Sequence, residues 1–126
     1  MKGRPRILAV DDEPAILSLL RRILEPEGYE VVTAANGEQA LALLEEAKLD
    51  LVLLDIMMPG LDGFQLLDRI RQRCDVPVIV LTARHEATTE HEALRLGADD
   101  YMRKPFSSRE LLARIRAKLE HGMTAP

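Results

Sequence analysis

Three unbroken apolar runs, Ile7-Leu8-Ala9-Val10, Leu51-Val52-Leu53-Leu54 and Val76-Pro77-Val78-Ile79-Val80-Leu81, alternate with stretches whose apolar residues recur at helical spacing. Runs of this kind fit strands buried on both faces, as in a parallel sheet covered by helices. Each ends at a group able to do chemistry: Asp11 and Asp12 after the first, Asp55 after the second, Thr82 after the third. The alternation therefore constrains both the fold and the edge on which function collects.

The intervening segments complete the pattern. Pro14 suits the first turn of a helix, where its missing N–H is not needed. Ile16, Leu17, Leu20, Ile23 and Leu24 then supply one helical face, and Pro26 and Gly28 end it. Tyr29–Thr33 reads as a strand. A second helix follows Asn36-Gly37 with Ala40, Leu41, Leu43, Leu44 and Ala47 inward, and a third carries Phe64, Leu66, Leu67 and Ile70 after the turn signals Pro59-Gly60 and Asp62-Gly63. Glu86–Leu96 is a helix with a diluted apolar face, closed by Gly97. Asp100-Tyr101-Met102 is a short fifth strand. A last helix, capped by Ser107 or Ser108, turns Leu111, Leu112, Ile115 and Leu119 inward until Gly122 stops it. Five βα units in succession predict an α/β domain with right-handed crossovers and helices on both faces of the sheet. The domain occupies residues 1–120, and 121–126 form a tail or the start of a linker.

Composition narrows the function. With 126 residues, 47% of them hydrophobic and 30% charged, the chain is one globular domain. Its acids outnumber Lys and Arg by 21 to 17, which argues against direct nucleic-acid binding by this domain. A single cysteine, Cys74, excludes an internal disulfide and fits a reducing, cytoplasmic setting. No apolar run approaches the ~20 residues of a membrane span, and the N-terminus lacks the apolar segment of a signal peptide.

In an open parallel sheet, ligands bind beyond the carboxyl ends of the strands. Asp11, Asp12, Asp55, Thr82 and Lys104 (after the fifth strand) are all predicted to lie there. Taken singly, each has an ordinary explanation as a helix cap, a turn hydroxyl or a surface charge. Their placement at matching ends of four strands favours a common site. Three carboxylates at close range repel unless a cation joins them. An all-oxygen set selects Mg²⁺ or Mn²⁺ rather than zinc, and a divalent ion together with Lys104 would balance the three acids. A phosphoryl group could then be held between metal and lysine, with Thr82 donating to its oxygens and Asp55 as the nucleophile.

At this level of detail the sequence resembles the receiver domain of two-component response regulators. The resemblance is carried by Val10-Asp11-Asp12-Glu13, Leu53-Leu54-Asp55-Ile56-Met57-Met58-Pro59-Gly60 with Asp62-Gly63, Leu81-Thr82-Ala83, and Gly97-Ala98-Asp99-Asp100-Tyr101 followed by Lys104-Pro105-Phe106. It implies a flavodoxin-like (βα)5 doubly wound sheet with strand order 2-1-3-4-5. It further implies that Asp55 accepts a phosphoryl group from a sensor histidine kinase. Asp12, Asp55 and the main-chain oxygen of Met57 would hold Mg²⁺, with Asp11 acting through water. Thr82 and Lys104 would contact the phosphoryl oxygens, Tyr101 would be the switch aromatic, and the Lys104–Pro105 peptide would be cis. Such a domain is no enzyme beyond assisting its own phosphorylation and dephosphorylation.

The segment from Asp99 to Arg116 is most similar to the subclass with a winged-helix DNA-binding output domain, for which no sequence is present; a stand-alone receiver is the alternative. In that subclass active receivers pair through the fourth helix, fifth strand and fifth helix. Asp99, Asp100, Glu110 and Arg114 match that dimer face, but Glu90 stands opposite Glu110, where like charges weaken pairing; Arg95 or His91 could supply the cation instead. Met57 and Arg84 flank the path of attacking water by analogy with the family, which predicts a long-lived phosphorylated state. A magnesium-dependent phosphohydrolase is the rival from another class. It needs its nucleophile after the first strand, a second acid two positions later and a cap; Asp11-Asp12-Glu13-Pro14 offers no such acid and the length leaves no room for a cap.

Overall fold

The computed structural model describes residues 3–46, 48–57, 63–83 and 86–124, with side chains through residue 120. Its order is β1 (Arg6–Val10), α1 (Pro14–Leu24), β2 (Glu30–Ala34), α2 (Gly37–Glu46), β3 (Leu51–Leu54), α3 (Gly63–Arg73), β4 (Val78–Thr82), α4 (Ala87–Arg95), β5 (Asp100–Arg103) and α5 (Ser108–Thr124). All neighbouring strands are parallel, in the order β2-β1-β3-β4-β5. The doubly wound sheet inferred from the sequence is the one observed.

Period-two alternation along the strands divides the core between the two faces. Leu8, Val10, Val52, Leu54, Val78 and Val80 pack with Ala40 of α2, Leu66, Leu67 and Ile70 of α3, and Ala93 of α4. Ile7, Ala9, Leu51, Leu53, Ile79 and Leu81 pack with Leu20 and Leu24 of α1 and Leu111 and Ile115 of α5. Covered on both sides, these strands need apolar residues at every position, which is why their runs are unbroken.

Local chemistry sets the element ends. Asn36 caps α2 by accepting the Gln39 N–H at 2.9 Å, while Gln39 accepts the Ala35 N–H at 2.8 Å. The Ser107 hydroxyl, rather than that of Ser108, caps α5 through the Glu110 N–H at 3.0 Å. Several boundaries differ from expectation. The chain leaves α1 through a 3-10 turn, Glu25–Glu27, that ends at Gly28 with φ 94°. β4 begins at Val78, because Pro77 has no N–H to give the ladder and serves only as an acceptor, for Val52. Helix α5 continues through Gly122 to Thr124, so Gly122 does not stop it; a single glycine costs an established helix only about 1 kcal/mol. Ala47, Met58, Pro59, Gly60, Asp62, Arg84 and His85 lie outside the described residues.

Gly63, at the start of α3, lies against the backbone of β3's exit. A Cβ there would stand 2.1 Å from the Ile56 Cα, a contact no rotamer change relieves. Gly63→Ala is therefore expected to destabilise the chain by about 2–3 kcal/mol in urea unfolding. An unchanged midpoint would show that the segment yields freely.

Candidate functional site

Two strand exits aim two carboxylates in the same way. After β1, Asp11 donates its N–H to the Ala34 carbonyl of β2, and its Oδ1 accepts the Glu13 N–H at 3.0 Å. After β3, Asp55 donates its N–H to the Val10 carbonyl of β1, and its Oδ1 accepts the Met57 N–H at 2.9 Å. Each is an aspartate bonding the backbone two residues on, a turn that fixes the carboxylate direction. Glu13 then starts α1, its carbonyl accepting from Ile16 and Leu17. Both aspartates are buried, at 2% exposed for Asp11 and 4% for Asp55, whereas Asp12 is open to solvent.

The remaining oxygens face a lysine delivered from the far side of the sheet. Lys104 follows β5, its N–H bonded to the Thr82 carbonyl at 2.8 Å and its peptide to Pro105 cis. Its Nζ donates to Asp11 Oδ2 at 2.7 Å and approaches Asp55 Oδ2 at 3.3 Å. Burial pushes the Asp55 carboxyl above its usual range; the Met57 N–H and the Lys104 charge oppose this, and the Asp11 charge adds to it. Burial alone would lower the Lys104 ammonium, but its bond to Asp11 and the charges of both aspartates outweigh that and raise it, so it stays protonated.

Carboxylate oxygens of Asp11, Asp12 and Asp55 all lie within 4.8 Å of one another. The donors are hard oxygens with two buried negative charges among them, a set that fits a divalent cation such as Mg²⁺ or Mn²⁺ and gives no soft ligand to zinc. Above them opens a cavity of about 220 Å³ lined by Asp12, Glu13, Asp55, Met57, Ala83 and Lys104. Thr82 is fully buried as the last residue of β4, and Tyr101 is 7% exposed, packed in the core on the α2–α3–α4 face. The expected groups thus converge on one sheet edge. Glu13 was not singled out from the sequence, although its place after two site acids was available as a signal.

The residues expected at a dimer face are engaged within the chain. Arg114 bonds Asp100 Oδ1 and, at 2.9 Å, Glu110 Oε2. Asp99 Oδ2 accepts from Arg71 at 2.6 Å and from the Val78 N–H at 2.8 Å. Arg71 also donates to the Gly97 carbonyl at 2.9 Å and the Val76 carbonyl at 2.6 Å, a structural knot between α3 and the loops around β4 that no sequence pattern reveals. Arg95 pairs with Glu92 on its own helix, and His91 is exposed. Met57 is 47% exposed.

Comparison with known proteins agrees with this geometry. Residues 7–116 match the family model described as the response regulator receiver domain. The chain is 52% identical over 117 residues to the transcriptional regulatory protein CpxR of Escherichia coli (strain K12), covering 93% of this chain and 50% of that protein. It is 47% identical over 121 residues to the alkaline phosphatase synthesis transcriptional regulatory protein PhoP of Bacillus subtilis (strain 168), covering 95% of this chain and 50% of that one. The chain therefore spans about half the length of the curated relatives it matches. Among solved structures, a two-component response regulator from Clostridium difficile superposes with TM-score 0.93 at 30% identity, covering 97% of this chain and 100% of the other. A CheY-like receiver domain protein from Methanospirillum hungatei JF-1 superposes with TM-score 0.89 at 38% identity, covering 94% and 96%. This chain belongs to the response regulator receiver domain family, as the receiver domain of a two-component response regulator.

Proposed function

We propose that the domain is a switch set by covalent phosphorylation of Asp55, with a sensor histidine kinase as donor. The observation that carries this reading is the environment of Asp55: a buried carboxylate, backed by the Lys104 ammonium at 3.3 Å and flanked by two further acids that suit a hard cation. A carboxylate oxygen of Asp55 attacks the phosphorus of a phosphohistidine. The O–P bond forms as the P–N bond breaks, and the leaving imidazole keeps the bonding pair and takes a proton from solvent. Asp12, Asp55 and the Met57 carbonyl would hold Mg²⁺, with Asp11 acting through water; the ion would supply positive charge beside the phosphoryl oxygens. Lys104 adds a fixed cation at that group, and Thr82 donates to it. The new contacts favour one state of β4's exit and of Tyr101, whose ring already sits inward.

The face formed by α4, β5 and α5 reads out that state, through pairing of two copies or contact with an output domain. Because Asp99, Asp100, Glu110 and Arg114 are bonded within the chain, pairing requires some of these bonds to be exchanged, and Glu90 gives no cation in return. Met57 shields the aspartyl phosphate from water, and the family resemblance assigns Arg84 to the same role. The relatives are named as transcriptional regulatory proteins, and by that likeness the domain serves a transcription-regulating output. Its excess of acids keeps the receiver itself off the nucleic acid, and a single cysteine suits placement in the cytoplasm. Among the described residues no helix is long and apolar enough to cross a membrane. Catalysis is limited to the domain's own phosphorylation and dephosphorylation.

Intact-mass measurement after treatment with acetyl phosphate and Mg²⁺ tests the proposal. The chain is expected to gain one phosphoryl group, and chelating the metal is expected to prevent it. No gain under saturating donor would end the reading. Turnover of a small phosphomonoester would favour the phosphohydrolase instead.

The raised Asp55 carboxyl adds a pH signature. A proton competes with the metal for Asp55 at a higher pH than at an ordinary carboxylate near 4. As pH is lowered, calorimetric Mg²⁺ affinity is therefore expected to start falling before ordinary carboxylates titrate. Affinity that stays constant until the ordinary carboxylate range near 4 is reached would contradict it.

A further inference from the structure

At the opposite end of the sheet from Asp55, the entrances of β1, β3 and β4 and the C-terminal part of α5 enclose a second, larger cavity of about 660 Å³. We infer that this basal groove is a docking site for an acidic amphipathic peptide segment of a partner protein. The inference is independent of phosphorylation.

The groove combines two kinds of surface. Leu49, Val76 and Leu119 give it apolar walls, each half-buried against the core and so leaving part of its side chain to the groove. Arg4, Lys48 and Lys118 are the cations of its lining. Asp50, the one acid among the described lining residues, spends Oδ2 on the Arg6 N–H at 2.7 Å, so among those residues three positive charges face a single carboxylate. The chain as a whole carries a formal charge of −4. A cationic end on an anionic domain orients an acidic partner toward this groove and away from the aspartate edge.

The volume lies within the ~300–1,000 Å³ of typical ligand sites and suits a few side chains of a peptide. Nucleic acid is the less favoured occupant. Among the described residues the lining has no aromatic ring for a base to stack on, and stacking on aromatic side chains is the usual platform for single strands. Leucine-like side chains against the apolar walls, with carboxylates reaching Arg4, Lys48 and Lys118, match both properties of the groove at once. Occupancy there would leave the Asp55 edge open, so such a partner could bind while a phosphoryl donor is engaged.

Amide shift mapping of the whole chain with a short synthetic peptide of glutamates and leucines tests the assignment. Shifts are expected to concentrate at Leu49, Val76 and Lys118. A Lys48→Glu/Lys118→Glu variant should weaken binding at least about tenfold, and an all-glutamate peptide should likewise bind at least about tenfold more weakly. The variant's mass gain from acetyl phosphate should equal that of the unmodified chain, which shows that its fold and aspartate site are intact. No groove-centred shifts, equal binding of a lysine–leucine peptide, or equal binding of the all-glutamate peptide would overturn the inference. So would groove binding by a single-stranded oligonucleotide in preference to the peptide.

Discussion

With Asp55 replaced by asparagine, the chain is expected to gain no mass from acetyl phosphate and Mg²⁺, while its metal-free fold becomes more stable at neutral pH. The first effect follows from chemistry: an amide oxygen at that position is not the anionic nucleophile that forms an acyl phosphate. The second follows from proton linkage. Burial, with the Asp11 charge, raises the Asp55 carboxyl in the folded chain above its unfolded value, against the pull of Met57 and Lys104. Ionising it then disfavours folding, a penalty absent at low pH, appearing as pH rises through the unfolded carboxyl value near 4 and complete above the raised folded value. Asparagine removes the penalty, and Lys104 keeps Asp11 at 2.7 Å as its partner. Urea unfolding in chelator should therefore favour the variant at about pH 7 and show no advantage well below pH 4. Adding Mg²⁺ should reverse the order, because only the aspartate form has the full donor set and a ligand stabilises the state that binds it. Uptake of a phosphoryl group by the asparagine variant would assign the acceptor to another residue. A variant less stable than the parent in chelator would mean that Lys104 and Met57 outweigh the burial of Asp55.

Strand burial and sheet topology explain how much of the site was legible in the sequence. Strand runs buried on both faces contain little but apolar residues, so the polar residue that ends each run is conspicuous, and in a parallel sheet all such ends share one edge. Asp11, Asp12 and Asp55 were legible for that reason, and Lys104 through the Lys104-Pro105-Phe106 motif that follows the short fifth strand. Thr82 was legible as to edge but sits inside β4 as its last residue, since a hydroxyl is small enough to finish a strand. What the sequence did not show depends on side chains spanning long separations. Arg71 meets Asp99 and the carbonyls of Val76 and Gly97 through a reach that no periodicity encodes. The engagement of Asp100 and Glu110 by Arg114 within the chain was likewise hidden, because a motif records which charges are present and not which partner holds them. Gly122 misled for an energetic reason: as one glycine in a long helix, it loses to the hydrogen bonds on either side.

Lys104 carries the most demanding prediction, because it is the fixed positive charge among buried acids. Its side chain is 12% exposed, against 3% and 5% for the carboxylates of Asp11 and Asp55. Lys104→Met keeps much of the stem's volume and deletes the charge. Removing one partner of a buried pair leaves an uncompensated ion, at about 3–5 kcal/mol, so the variant is expected to lose about 3 kcal/mol in chelator at neutral pH. The deficit has a pH signature that lost packing does not. Without the ammonium, the already raised Asp55 carboxyl rises further, so the penalty is present above that value and fades as acid protonates Asp55. A deficit independent of pH would assign the loss to the stem's packing instead. Mg²⁺ should restore more stability to the variant than to the parent, since the ion then meets two acids with no competing cation. Asp55 remains in place, so the variant should still gain a phosphoryl group. What it should lose is the response: amide shifts across Tyr101 and β5 on phosphorylation should shrink, because the differential contact from Lys104 to the phosphoryl oxygens is gone. A full-sized shift in the methionine variant would move the coupling from Lys104 to Thr82 alone.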